Sequence, residues 1–278
     1  MSQEIADEFN IKLAPLCVIL DGKTYPETEI DLAWFYKQIP IWKKAGKMPT
    51  TSSVSPGYFL EAYRELSQKA EAILYIGHSS KFGMSPIAGM QAKKIAEEEL
   101  PQTPIEVIDC YTVAGAQMLI ALEATRAAAT GKSLPEVVEL VNNMIERVNY
   151  IHLSDDLSLL AKGGRIHKAR AWADSQITNT ALLEASISTE GEMKPLARCR
   201  TRHQALEKLF ETVKERNGNG KLHLAINHVD ALSEADQLKE LTLSRFSCAA
   251  EVFVTPVYPL ITTHVGLGAV DFSWWGES

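Results

Sequence analysis

Apolar positions in the first half of the chain fall into short continuous runs alternating with segments of helical spacing. Leu16 to Leu20 is an apolar run that predicts a strand, closed by the turn pair Asp21-Gly22. Ile30 to Trp42 carries Leu32, Phe35, Tyr36 and Ile39 three and four residues apart, which predicts a helix. Ser55-Pro56 reads as N-cap and first helical residue of a second helix, with Phe59, Tyr63 and Leu66 on its inner face. Ala72 to Ile76 predicts a buried strand, and Ser85-Pro86 repeats the cap into a helix ending near Leu100. Ile105 to Ile108 predicts another strand, followed by an alanine-rich helix that stops at Gly131. Ser133 and Glu136, with Pro135 between them, form a capping box for the next helix. Asn149 to Leu153 predicts one more strand. Short apolar strands separated by helices imply a parallel sheet covered on both faces.

The second half has a different pattern. Leu182 to Ser188 and Glu192 to Cys199 alternate, and Glu190-Gly191 between them predicts a hairpin. A helix is expected from about Thr201 to Glu215, ended by Asn217-Gly218-Asn219-Gly220. Leu222 to Val229 predicts a strand, Ser233 to Leu243 a helix, and Val252 to Val254 and Leu260 to Thr263 further strands. The Trp274-Trp275 pair reads as a packing anchor. The expected architecture is an α/β chain: an N-terminal three-layer α/β/α domain with a parallel sheet over 1–155, and a C-terminal α+β domain with a mixed sheet over 156–278.

Composition narrows the function classes. The 278 residues are 46% hydrophobic and 23% charged, ordinary for a globular chain with room for a ligand cavity. A formal net charge of -7 disfavours nucleic acid and anionic lipid surfaces. Cys17, Cys110, Cys199 and Cys248 are scattered without metal-ligand spacing, which suits reduced thiols in the cytoplasm. His78, His152, His167, His203, His223 and His228 show no metal spacing either, so neither a metal nor another cofactor is expected. No apolar run reaches the length of a membrane span.

Four polar motifs stand where a strand pattern stops or a helix begins: Thr51-Ser52, Ser79-Ser80, Lys162-Gly163-Gly164-Arg165, and His264-Val265-Gly266-Leu267-Gly268. Backbone N–H groups point outward at such places, and hydroxyls, a guanidinium and an imidazole suit a carboxylate or phosphate better than a metal. The same residues also read as caps and turns. Thr51, Ser52, Ser79 and Ser80 satisfy helix starts, Gly163-Gly164 and Gly266 supply tight turns, and Lys162 and Arg165 can be solvated.

The order of these motifs resembles the DegV family of two-domain bacterial fatty-acid-binding proteins. The resemblance rests on Pro49-Thr50-Thr51-Ser52, Ile76-Gly77-His78-Ser79-Ser80, Val107-Ile108-Asp109, the run Leu157 to Arg165 ending in Lys-Gly-Gly-Arg, Arg200-Thr201-Arg202, and the His264 loop. It covers nearly the whole chain. The family begins with a strand ending in Asp-Ser-Thr, whereas this sequence opens just after it, at Met1-Ser2-Gln3-Glu4-Ile5-Ala6, so a first domain lacking that strand is expected. The family's Leu-Ser-Gly-Thr-Tyr is here Phe82-Gly83-Met84-Ser85-Pro86, its Lys-Pro before the hairpin is Glu184-Ala185-Ser186, and the proline of its last glycine loop is Leu267.

The resemblance implies a carrier and not an enzyme. One long-chain fatty acid would lie in the first domain, with its carboxylate presented to a dihydroxyacetone-kinase-like fatty acid kinase. Thr51, Ser52, Ser79, Ser80, His264 and Gly266 are the expected head-group residues, with Arg165 at the head group or the partner. Two alternatives stand beside this: a serine hydrolase using Ser79 or Ser80 with His264 and Asp109, and a family member with a lost or different ligand. No Gly-x-Ser-x-Gly elbow and no P-loop occurs in the sequence.

Overall fold

The structure, a computed structural model, describes residues 1–166 and 180–277. After a short helix, α1 (Gln3–Glu8), the chain forms β1 (Cys17–Leu20) and turns back through Asp21 and Gly22, both at positive φ, into β2 (Lys23–Pro26). β1 also pairs antiparallel with β3 (Thr50–Ser52), giving a small sheet in the order β2-β1-β3. Between them α2 (Leu32–Ala45) starts at Asp31, whose carboxylate accepts from the Trp34 N–H, and stops at left-handed Gly46. Its apolar face buries Phe35, Tyr36 and Ile39 as the spacing predicts.

α3 (Pro56–Ser67) is capped by Ser55 as expected, and β4 (Ile73–Gly77) pairs in parallel with β5 (Ile105–Asp109). α4 (Ser85–Glu99) departs from the prediction at its first residue. Met84 holds the cap position with φ -89° and ψ 0°, so Ser85 is already helical and its buried hydroxyl has no partner. A serine caps only from an extended backbone, and the chain enters this helix without one. α5 (Ala114–Ala129) and α6 (Leu134–Arg147) follow, the latter opened by the Ser133/Glu136 capping box. The outer edge of β4 is partly covered by Gln117, whose side-chain amide donates to the Ile76 carbonyl at 3.0 Å.

The strand expected at Asn149–Leu153 forms as β6 (Asn149–Ser154), but it does not extend the parallel pair. It lies within a six-stranded mixed sheet in the order β10-β9-β11-β6-β7-β8, where only β9 and β10 run parallel. The remaining elements are α7 (Ser158–Lys162), β7 (Thr180–Glu184), β8 (Lys194–Cys199), α8 (Arg202–Asn217), β9 (Leu222–His228), α9 (Leu232–Arg245), β10 (Cys248–Pro256), α10 (Pro259–Val265) and β11 (Val270–Gly276). On one face Ile151, Leu182, Phe272 and Trp274 pack with Leu209 and Leu238 of the covering helices α8 and α9. On the other, Tyr150, Leu183 and Trp275 join Leu122 and Ile145 of α5 and α6. The two faces alternate along each strand because strand side chains alternate.

Two local readings change. The first predicted hairpin strand ends at Glu184, and Ile187–Thr189 is a 3-10 turn in which the Thr189 hydroxyl accepts from the Ser186 N–H. Leu260–Thr263 is helix, not strand. Pro259 begins α10, and the Thr262 and Thr263 hydroxyls donate back to the carbonyls of Tyr258 and Pro259. Trp274 and Trp275 do anchor the fold, but from β11, a central strand between β9 and β6. Among the described residues no helix is long and apolar enough to cross a membrane.

Candidate functional site

A cavity of about 1450 Å³ extends along α5 and reaches α10 and the Lys-Gly-Gly-Arg turn. One of its walls is a face of α5, from Val113 and Ala114 through Gln117, Ala121 and Ala124 to Ala128. The 16 residues of that helix span about 24 Å at 1.5 Å per residue, so this wall is long. Small side chains on α5 create the space, because each alanine leaves unfilled volume that a leucine would occupy. The opposite walls are Leu74 and Ile76 of β4 and the run 9–16 after α1.

Around Leu66, Ile73, Ala124 and Leu134 apolar side chains share the lining with Glu71, Arg126, Lys132 and Ser133. At the other end the cavity meets Thr51, Ser52, Ser53, His78, Arg165 and His264. β3 and the residue after it supply the hydroxyls, the loop after β4 supplies His78, the turn after α7 supplies Arg165, and α10 supplies His264. Thr51 Oγ1 and His264 Nε2 are hydrogen-bonded at 3.1 Å although 213 residues separate them. Arg165 donates to the carbonyls of Gly163 and Phe82, which ties the Lys-Gly-Gly-Arg turn to the loop after β4. Gly163 packs closely here: a Cβ would stand 3.1 Å from His264 Nδ1, a tight contact.

Burial drives the His264 imidazole down to about 4, with the Arg165 charge adding to the effect. Burial lowers His78 to about 4 as well, against the pull of Asp109. Both rings are therefore neutral at pH 7, and Arg165 is the cation of this end of the cavity. Glu27, which also faces the cavity, is pushed up by burial to about 7 and accepts from the Leu260 N–H. Neutral donors beside one guanidinium suit a single negative charge. Among the described residues no cluster of histidine, cysteine and carboxylate side chains is set to hold a metal.

Of the residues singled out from sequence, Thr51, Ser52, Arg165 and His264 meet at the cavity. Ser79, Ser80 and Gly266 are not part of its lining. Ser79 is fully buried and donates to the Gly191 carbonyl at 2.8 Å, joining the loop after β4 to the β7–β8 connection. Ser80 gives its N–H to Asp109 Oδ2, and Asp109 Oδ1 accepts from the Tyr111 N–H, a turn-forming role. Gly266 ends α10 at positive φ. Neither serine is joined to His264, whose Nε2 is engaged by Thr51, so the structure does not assemble the serine–histidine–aspartate alternative. His167 lies outside the described residues. Sequence reading passed over Ser53 and His78, both next to the chosen motifs, and Glu27. The alanine spacing of α5 was the sign that this helix bounds a space.

A family model described as "Uncharacterised protein, DegV family" matches residues 1–277. The chain belongs to the DegV family. A DegV domain-containing protein of Streptococcus pyogenes serotype M1 is 28% identical over 269 residues, 96% of this chain and 91% of its own. Protein DegV of Bacillus subtilis is 27% identical over 281 residues, covering 98% and 94%. Solved DegV structures share the fold. One from Thermus thermophilus, described by its fatty acid binding, superposes with a TM-score of 0.87 at 22% identity, covering 100% of this chain and 96% of its own. The B. subtilis DegV structure, described as a fatty acid binding protein, gives 0.85 at 24% identity over 100% and 95%. The architecture expected from sequence, an α/β chain with a parallel and a mixed sheet, is the family's.

Proposed function

We propose that this protein is a cytoplasmic carrier that holds one long-chain fatty acid. The acyl chain would lie along α5, with the carboxylate among Thr51, Ser52, Arg165 and His264. The observation that carries the reading is a single cavity that joins small side chains along α5 to a cluster of two neutral imidazoles, three hydroxyl side chains and one guanidinium. Burying an acyl chain supplies about 0.8 kcal/mol per CH₂, so a dozen methylenes contribute roughly 10 kcal/mol before association costs. The polar end then has only to orient the head group and offset its desolvation. The relatives described as fatty acid binding proteins support the same ligand class.

Thr51, Ser52, Arg165 and His264 are each partly exposed, which leaves a carboxylate held among them available to a second protein. We therefore assign the partner expected from the family resemblance, a dihydroxyacetone-kinase-like fatty acid kinase that phosphorylates the carried acid. Native mass spectrometry of the purified protein should show one co-purified fatty acid per chain. A protein that emerges free of lipid and takes up no long-chain acid would sink the reading. A loaded protein that no such kinase phosphorylates would remove the partner and leave the carrier.

A further inference from the structure

One wall of the cavity is the edge of a strand. β4 joins β5 through alternate residues: the Ile73 N–H donates to the Pro104 carbonyl at 2.9 Å, and the Gly77 carbonyl accepts from the Cys110 N–H at 3.0 Å. In a parallel ladder of this register Ile73, Tyr75 and Gly77 turn their main-chain groups to β5, so Leu74 and Ile76 turn theirs the other way. Among the described residues no strand lies on that side, since β4 and β5 form a two-stranded sheet. Gln117 of α5 takes one of the outward groups, its amide donating to the Ile76 carbonyl at 3.0 Å. The Leu74 N–H, the Leu74 carbonyl and the Ile76 N–H have no partner among the described residues.

Space is present beside them. Ala72, Ile73, Leu74, Tyr75 and Ile76 all line the cavity, and Gln117 lines it with them. Successive strand side chains point to opposite faces, so a continuous run of residues borders one space along the edge of the strand. A hydrocarbon chain offers nothing to these groups, and a buried amide or carbonyl without a partner keeps the penalty of its lost hydration. The pattern to be matched is one residue of a parallel strand: an N–H for the Leu74 carbonyl and, farther along, an oxygen for the Ile76 N–H. Parallel pairing also fixes the direction. The carboxyl side of such a residue points from Leu74 toward Ile76, and β4 leads on to His78, which lines the cavity with Thr51, Arg165 and His264. The opposite side points back toward Ile73 and Leu66.

We propose that the cavity accepts N-acyl amino acids, fatty acids joined through an amide to one amino acid, and that the free edge of β4 holds them. The amide N–H donates to the Leu74 carbonyl, a carboxylate oxygen accepts from the Ile76 N–H, and the acyl tail runs past Ile73. The inference rests on the fatty-acid reading and concerns the class of acid carried. Water along the edge is the competing occupant, so the experiment has to separate the two.

Binding of heptadecanoic acid, N-tetradecanoylglycine and N-tetradecanoylsarcosine would be measured by calorimetry on the full chain, delipidated, as wild type, Ile76→Pro and Ile76→Val. The first two ligands have chains of equal length, and the sarcosine compound lacks the N–H. An amide buried without partners weakens binding about tenfold or more, so the acylglycine should match or exceed heptadecanoic acid only if its amide is paired. It should also bind about tenfold tighter than the sarcosine compound, the worth of one hydrogen bond. Ile76→Pro removes an outward N–H and no bond to β5, a change that edge strands tolerate. It should lower the affinity of the acylglycine relative to heptadecanoic acid about tenfold, and Ile76→Val should keep the wild-type ratio. The sarcosine comparison needs no variant and stands even if Ile76→Pro does not fold. In wild type, an acylglycine weaker than heptadecanoic acid, or no tighter than the sarcosine compound, would overturn the subsite and mark the edge as water-filled. A ratio untouched by Ile76→Pro would overturn its location on β4. No binding of any of the three would defeat the fatty-acid reading itself, and this inference with it.

Discussion

Replacing His264 by alanine should separate the two parts of fatty-acid recognition. In the structure His264 Nε2 lies 3.1 Å from Thr51 Oγ1, and the neutral ring lines the cavity together with Arg165. A hydrogen bond to a charged acceptor is worth about 1.5–3 kcal/mol, so His264→Ala should weaken a long-chain acid roughly ten- to hundredfold. The alcohol of the same chain length offers a neutral oxygen, whose bond is worth about 0.5–1.5 kcal/mol, so its loss should stay within roughly tenfold. The tail's contribution of about 10 kcal/mol is common to both ligands and cancels. Thr51→Val removes the hydroxyl at nearly constant volume and should act in the same direction. Because each single change breaks the same Thr51–His264 contact, the double variant should lose less than the sum of the two. Calorimetric titration of acid and alcohol at pH 7.5 into wild type, both single variants and the double variant provides the comparison. Equal losses for acid and alcohol would refute the reasoning, since they would mean the pair shapes the fold and not the carboxylate site.

Two further outcomes follow from the same geometry. His78 and His264 are each held near 4 in the folded protein, below the ordinary histidine value of 6.5, so their contribution to stability is complete above pH 6.5 and is lost as pH falls toward 4. Each contributes up to about 3 kcal/mol. Glu27, raised to about 7, works in the opposite direction between 4.5 and 7 and offsets part of it. Chemical denaturation at pH 7 and pH 5 should therefore show a marked drop in wild type and a smaller one in His264→Gln; identical drops would contradict the burial argument. Gly191→Ala tests the Ser79 contact: Gly191 sits at φ +73°, and a Cβ there would stand 2.3 Å from Ser79 Oγ. The strained backbone and the displaced buried hydroxyl together predict about 2–4 kcal/mol of lost stability, and a urea midpoint unchanged from wild type would rule the contact out as a structural clasp.

Much of the fold was legible because its signals are local. The capping box at Ser133 and Glu136, the Ser55-Pro56 start, the Asp21-Gly22 turn and the spacing of Phe35, Tyr36 and Ile39 specify conformations within a few residues of themselves. Ser85-Pro86 misled because a cap depends on the backbone arriving extended, and Met84 arrives near-helical. Leu260–Thr263 misled because β-branched residues favour strands, while Pro259 and packing against α2 and α7 hold the segment in a helix. The place of β6 was not legible either: an apolar run announces a strand, but not which strand will be its neighbour.

The same division holds for the site. The motifs Thr51-Ser52, Lys162 to Arg165 and the His264 loop were visible in the sequence, and so was the family, since six short patterns in one order carry that information without a structure. Which of those residues share a space was decided by the tertiary fold alone. Thr51 and His264 meet across 213 positions because β3 and α10 are brought to one end of the cavity, while Ser79, in an equally suggestive motif, turns inward to the Gly191 carbonyl. A hydroxyl in a loop has the same local chemistry in either role. Only the direction in which packing points it, and the partner it finds there, settles whether it serves the ligand or the fold.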